Sequence, residues 1–287
     1  MTDMPVFSGD DDGREYLWSD LLARRLALGL QTEESARAMK VSYEDYDGVE
    51  EGEKPPEPQM VESITAMERF VAQETDLAVA AAEGTGEKAV QFIAVADQDT
   101  FNQMYPQART PWGTHYPFTL QHVAIGRAAG ELSRRGIDIE VFGGQQSDRR
   151  VDLAVRRQAV GLLKTMAGEL LGIPQKRYYR WEAGIKWAPG RAGDPAGSSV
   201  PAGLIAEMQA LDDFIVITAA ELPVENIDGV SVVYMLDDQS DFEQVYPEAR
   251  TLRDRIPYPI RIHRVAAARR ASSLASAGHD VRIAVED

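Results

Sequence analysis

The sequence predicts a mainly α, α+β fold made of two similar units, each a helix-turn-helix bundle followed by a small strand-plus-helix domain. Three observations carry this expectation. Residues 97–110 (DQDTFNQMYPQART) return 141 residues later as residues 238–251 (DQSDFEQVYPEART), with nine of fourteen positions identical. Upstream, at a spacing of 132, Arg24-Arg25, Gly29, Val41, Tyr46, Glu50 and Gly52 align with Arg156-Arg157, Gly161, Ile173, Tyr178, Glu182 and Gly184. Each copy also opens with apolar residues at i, i+3, i+4 and carries only short β-like runs. A repeat of this length exceeds any solenoid period and reads as domain duplication.

Residues 1–13 read as a disordered acidic tail. Residues 14–82 form a first helix-turn-helix domain and 83–141 its strand-plus-helix partner. Residues 142–148 (FGGQQSD) are a linker, 149–220 a second helix-turn-helix domain, and 221–287 its partner. A longer helix is expected at residues 60–82 in one copy and 204–211 in the other. The β-like runs are AVQFIAVA and IDIEVF, then VSVVYML and VRIAVE. After each 97–110-type segment come a Tyr-Pro turn and a helix closed by Gly136 or Gly278. Residues 187–203, rich in Gly, Pro and Ser, read as a flexible loop that accounts for the unequal spacings. With 44% hydrophobic residues, each half is expected to bury its own core.

Composition narrows the function. The chain has no cysteine, so disulfides, thiol nucleophiles and cysteine-zinc sites are excluded. No apolar run is long enough for a membrane span and the first residues lack signal-peptide blocks, so a cytoplasmic protein is expected, with no membrane partner. His115, His122, His263 and His279 include no i, i+4 pair, and residues 84–88 (GTGEK) lack the Ser or Thr and the glycine spacing of a phosphate loop. The run Asp10-Asp11-Asp12 reads as solvated. No metal, no cofactor and no enzyme activity are expected. The net charge of −16 argues against a surface coated in nucleic acid, so a local patch must carry any such binding.

Such a patch is expected in the second copy. A first helix leads to Gly161, a second spans residues 163–171, Gly172-Ile173-Pro174 turn, and a third starts near Gln175. Small Ala167 and Gly168 let the last two helices approach, and Ile173, Tyr178 and Trp181 anchor the third. Gln175, Lys176, Tyr179 and Arg180 then face outward as candidates for base contacts, because Gln pairs bidentately with adenine, and Arg or Lys with guanine. Arg156, Arg157, Lys164, Arg177 and Lys186 are the phosphate candidates. The alternative is an ordinary helical hairpin with solvated cations.

The stretch GLLKTMAGELLGIPQKRYYRWEAG resembles the Xre/Cro-like helix-turn-helix of phage repressors. MVESITAMERFVAQ, followed by VQFIAVADQDTFNQMYPQA and HVAIGRAAGELSRRG, is similar to the YdiL-like family, which includes anti-CRISPR-associated autorepressors. Its F-x-x-x-YP turn stands here as Phe101 with Tyr105-Pro106 and Phe242 with Tyr246-Pro247. The resemblance implies C-terminal parts that pair two units, so that this chain would be a monomeric single-chain pseudo-dimer acting on double-stranded DNA as a transcriptional repressor. A single unit is usual there; two stand here, and they differ in charge. Residues 42–58, the expected third helix of the first copy, hold seven carboxylates and one lysine, whereas residues 174–190 hold four cations and one carboxylate. The first copy is therefore expected to be a poor DNA reader, giving an asymmetric operator, with Glu44, Asp45, Asp47 and Glu51 free for a basic protein partner. The competing reading is an interaction or structural protein, phage-derived or DNA-mimicking, that keeps the fold without binding DNA.

Overall fold

The computed structural model describes residues 16–143, 149–182 and 200–286, and these form twelve helices and five strands. The first half runs α1 (Trp18–Ala27), α2 (Thr32–Met39), α3 (Tyr43–Glu50), α4 (Pro58–Thr85), β1 (Ala89–Ala94), α5 (Gln98–Met104), α6 (Thr119–Arg134) and β2 (Asp138–Gly143). The second runs α7 (Arg149–Ala159), α8 (Lys164–Leu170), α9 (Gln175–Glu182), α10 (Ala202–Glu221), β3 (Val224–Ile227), β4 (Val230–Met235), α11 (Gln239–Val245), α12 (Arg261–Ser276) and β5 (Val281–Val285). The order is the same apart from β3. No helix among the described residues is long and apolar enough to cross a membrane.

Local chemistry sets these boundaries. Asp97 and Asp238 cap α5 and α11 alike, each carboxylate accepting the backbone N–H three residues on. Pro58 sits in the first turn of α4, and Gly86 ends it at φ 67°. Two helices differ most from the expected spans. The first copy's third helix stops at Glu50, because Gly52 turns the chain at φ 77° and Pro55-Pro56 follow. Helix α10 continues well past Leu211 although Ile215-Val216-Ile217-Thr218 is poor helix sequence, since Leu211, Ile215, Thr218 and Ala219 are all buried along one face.

Each half has a small sheet. β1 and β2 pair in parallel, as do β4 and β5, with a helical crossover between partners. β3 joins β4 as an antiparallel hairpin whose turn, Asp228-Gly229, has φ of 52° and 87°. This strand was not expected, although Asp-Gly between two short apolar runs is a hairpin signal. An aromatic quartet recurs: Phe70 meets Phe101, Tyr105 and Tyr116 edge-on at 5.8, 5.4 and 5.6 Å, and Phe214 meets Phe242, Tyr246 and Tyr258 at 6.0, 5.6 and 5.7 Å. The tyrosines of the two Tyr-Pro turns thus pack in these clusters.

The first half buries one core of its own, around Met39, Ile64, Phe101 and Leu120, but the other two clusters draw on both halves, so the expectation of a separate core for each half holds only in part. Ala23, Leu26 and Ala27 of α1 pack in one cluster with Val265 and Ile283 of the second half, while Val155 of α7 packs with Ile125, Ala128 and Val141 of the first. The C-terminal parts do not chiefly pair with each other either. The main neighbours of α6 are α4 and α7, and those of α12 are α1 and α10. Each half lends its first helix to the other.

Glycine makes this exchange possible. A Cβ on Gly29 would stand 2.7 Å from the Gln158 carbonyl and 3.0 Å from Val123, and one on Gly161 2.6 Å from the Leu26 carbonyl and from Val265. Arg127 donates to the Ala27 carbonyl at 2.8 Å, and Arg269 to that of Ala159 at 2.9 Å. These contacts are reciprocal, pair for pair: Gly29 and Leu26 align with Gly161 and Gln158 at a spacing of 132, and, after one inserted residue beyond the 97–110 and 238–251 match, Val123 and Arg127 align with Val265 and Arg269 at 142.

Candidate nucleic-acid interface

In the second half α8 and α9 are joined by Gly172, at φ 62°, Ile173 and Pro174. The tight turn brings the helices close: a Cβ on Gly168 would lie 3.4 Å from the Ile173 carbonyl and 3.6 Å from the Cβ of Tyr178. Ala167 and Tyr178 are fully buried, Trp181 is buried and Ile173 partly so. With that face fixed inward, the 3.6-residue period leaves Gln175, Lys176, Arg177, Tyr179 and Arg180 exposed together on α9. The Arg177 guanidinium lies 5.4 Å from the centroid of the Trp181 ring. The four base-contact candidates therefore share one surface, with Arg177 beside them.

The phosphate candidates divide. Lys164 is 40% exposed, with its ammonium 3.7 Å from Glu182. Lys186 lies outside the described residues. Arg156 and Arg157, however, are buried, which corrects their assignment as phosphate contacts. Arg156 pairs with Asp152 at 2.7 Å and donates to Gln209 at 2.9 Å. Arg157 grips both oxygens of Glu182, at 2.5 and 3.0 Å, and donates to the Leu162 carbonyl. Both guanidiniums are buried and committed to these partners, so neither is available to DNA.

The same clamp holds the three-helix head of the first half, α1 to α3, as it holds that of the second, α7 to α9. Arg25 meets both oxygens of Glu50, at 2.6 and 2.7 Å, and donates to the Leu30 carbonyl at 2.9 Å. In both heads a bidentate pair thus ties the first helix to the end of the third, fixing where the third helix points. The alignment already held this information, since Arg25 and Glu50 recur as Arg157 and Glu182; reading the arginines one by one as surface cations missed it.

Around this common frame the outer surfaces have opposite charge. Tyr46 and Val49 of α3 are buried like Tyr178 and Trp181. Glu44, Asp45 and Glu51 are exposed and Asp47 is half-buried, so this acidic set also lies on one side of its head. Asp45 bonds Lys54 at 2.7 Å and Ser42 at 2.6 Å, which hold its carboxyl below the usual range, whereas the Asp47 carboxylate raises the Tyr43 phenol. Under the alignment Glu44 stands for Lys176, Asp45 for Arg177 and Gly48 for Arg180.

The histidines converge on no metal site, and among the described residues no cluster of three or more His, Asp or Glu could hold an ion. His122 bonds Gln158 and the Val95 carbonyl, and His263 is buried against Phe242 and Tyr246. Comparison with protein-family models, with curated proteins and with solved structures finds no match for this chain.

Proposed function

We propose that the chain is a sequence-specific regulator that binds double-stranded DNA through α9 and represses by occupying a promoter. The observation that carries this reading is the grouping of Gln175, Lys176, Tyr179 and Arg180 on one exposed helix face whose direction is fixed by Tyr178, Trp181 and the Arg157–Glu182 pair. Side chains of these types read base edges in the major groove, and the accessible Arg177 and Lys164 are the candidates for the flanking phosphates. The repeat and the reciprocal packing support a duplicated, single-chain pseudo-dimer similar to the YdiL-like family, monomeric in the cytoplasm. The acidic α3 surface repels phosphate, so its operator is asymmetric, with one well-specified half-site.

Selection from a random DNA pool at low salt tests this: one motif should enrich. Arg180→Ala or Lys176→Ala should weaken binding to it by about 1–3 kcal/mol and relax one base position. Failure to enrich any sequence would favour the second reading, a protein-binding module that keeps the fold without DNA. The net charge of −16 and the exposed Glu44, Asp45 and Glu51 support that reading, with a basic protein as partner.

A further inference from the structure

A cleft of about 610 Å³ opens beside α9, bounded by the α8–α9 turn, the first turns of α10 and the loop at residues 251–254. Its size is that of pockets which enclose small organic molecules, roughly 300–1,000 Å³. The walls are mostly apolar, from Leu171, Ile173, Trp181, Pro201, Leu204 and Leu252. Four charged side chains reach it, and three already have partners. Both oxygens of the buried Glu207 carboxylate accept backbone N–H groups, of Leu252 and Arg253, at 3.0 Å each. Arg253 donates to the Leu171 carbonyl at 2.8 Å and pairs with Asp254. Arg177, exposed and set over the Trp181 ring, is the charge left to meet a ligand.

We infer that this cleft binds a small amphipathic anion, an apolar body bearing one carboxylate or sulfonate, and that the bound anion takes Arg177 away from DNA. The regulatory half of this inference rests on the DNA-binding reading above; the ligand half does not. An apolar body is matched by the walls, and a buried cation would find the nearby carboxylates committed. Occupancy is felt at α9 because the cleft wall includes the turn that aims it. A ligand anion on Arg177 also competes with a phosphate for the same guanidinium, so ligand and DNA oppose each other through a shared residue. The first head has Asp45 and Val49 where Arg177 and Trp181 stand, so the site belongs to the second head alone.

Titration of the full chain with 1-anilinonaphthalene-8-sulfonate, an apolar fluorophore carrying one sulfonate, tests the ligand half. Saturable binding at one site per chain is expected. Arg177→Gln should weaken it about tenfold, the size of one lost charge-assisted contact, and Ala206→Trp, at an exposed position on the α10 wall, should abolish it. N-phenyl-1-naphthylamine, which lacks the sulfonate, should bind as weakly to the native chain as the sulfonate does to the glutamine variant. Unchanged thermal midpoints show that the variants remain folded. Binding that does not saturate, that ignores both substitutions, or that emerges only after residues 184–198 are deleted would overturn the proposal.

A second titration, in the presence of the selected DNA, separates the two readings. The fluorophore should lower DNA affinity in the native chain and leave the Ala206→Trp variant unaffected. If the fluorophore fills the cleft of a chain that binds no DNA, the DNA reading fails and the ligand site stands. If DNA binds and the fluorophore fills the cleft without changing its affinity, the shared role of Arg177 is refuted.

Discussion

A buried guanidinium needs its carboxylate, and this governs Arg25 with Glu50 and Arg157 with Glu182. Removing one partner of a buried pair typically costs about 3–5 kcal/mol, because the other charge is left stranded, whereas replacing both by apolar residues is often nearly neutral. Glu182→Leu should therefore lower stability by about 3 kcal/mol in denaturant titration, and the double change Arg157→Met, Glu182→Leu should recover much of the loss. An additive double change would show that the two side chains act independently. His263 carries a second residue-scale effect. Burial, with the Arg264 cation nearby, pushes its imidazole down to about 4, and neither ring nitrogen has a hydrogen-bond partner. The unfolded chain takes up a proton near pH 6.5 and the folded one resists it. Its contribution is thus fully present above about pH 6.5 and is lost as pH falls toward 4, at up to about 1.4 kcal/mol per unit. His263→Gln, the residue found at the aligned Gln121, should flatten that acid limb in melts between pH 7 and 4; an unchanged slope would place the acid sensitivity elsewhere.

Helices were easier to anticipate than their lengths or the hairpin. The second head could be read in order because each boundary has its own chemical mark, from Gly161 through the Gly172-Ile173-Pro174 turn to the buried Tyr178 and Trp181. The outward positions on α9 followed from the same 3.6-residue period. Helix α10 was underestimated because tertiary burial overrides the low propensity of its β-branched run, and β3 was missed because four residues give too little alternation to count. Glycine marks offer a direct test at this scale. Gly161→Ala meets both a positive φ and a carbonyl of α1 at 2.6 Å, while Gly278 has φ 90° and open space where a Cβ would stand. Gly161→Ala should cost clearly more than Gly278→Ala, which pays only the left-handed penalty of roughly 1–2 kcal/mol. Equal losses by thermal melting would mean that α1 and α7 can separate slightly at no expense.

The exchange of first helices sets the behaviour of the molecule as a whole. Periodicity shows which face of α1 or α7 is buried but not which half of the chain covers it, so the repeat was legible and its exchanged packing was not. A fragment ending at residue 146 would expose the α6 and β2 surface that α7 covers and strip α1 of α12 and β5. Neither half should fold alone, and mixing residues 1–146 with 147–287 should restore helical circular dichroism and a cooperative melt. A first half that melts cooperatively by itself would show that its own α4 and α6 suffice. The charge difference between heads belongs to this scale too. Protection of DNA by a two-headed reader covers two half-sites about 34 Å apart, but here footprinting should show one strong half-site and a shallower salt dependence. Two equally protected half-sites would mean that α3 engages DNA despite its carboxylates.

The matching close approaches at Gly29 and at Gly161 also bear on inheritance. In an assembly of two identical chains every substitution is made twice, so a carboxylate added to one helix surface is added to the other, and an error at the contact is doubled. When both surfaces lie on one chain, a codon changes one of them. One head can drift in charge, as the outer faces of α3 and α9 have, while the shared interior holds the altered and the unaltered head in fixed register.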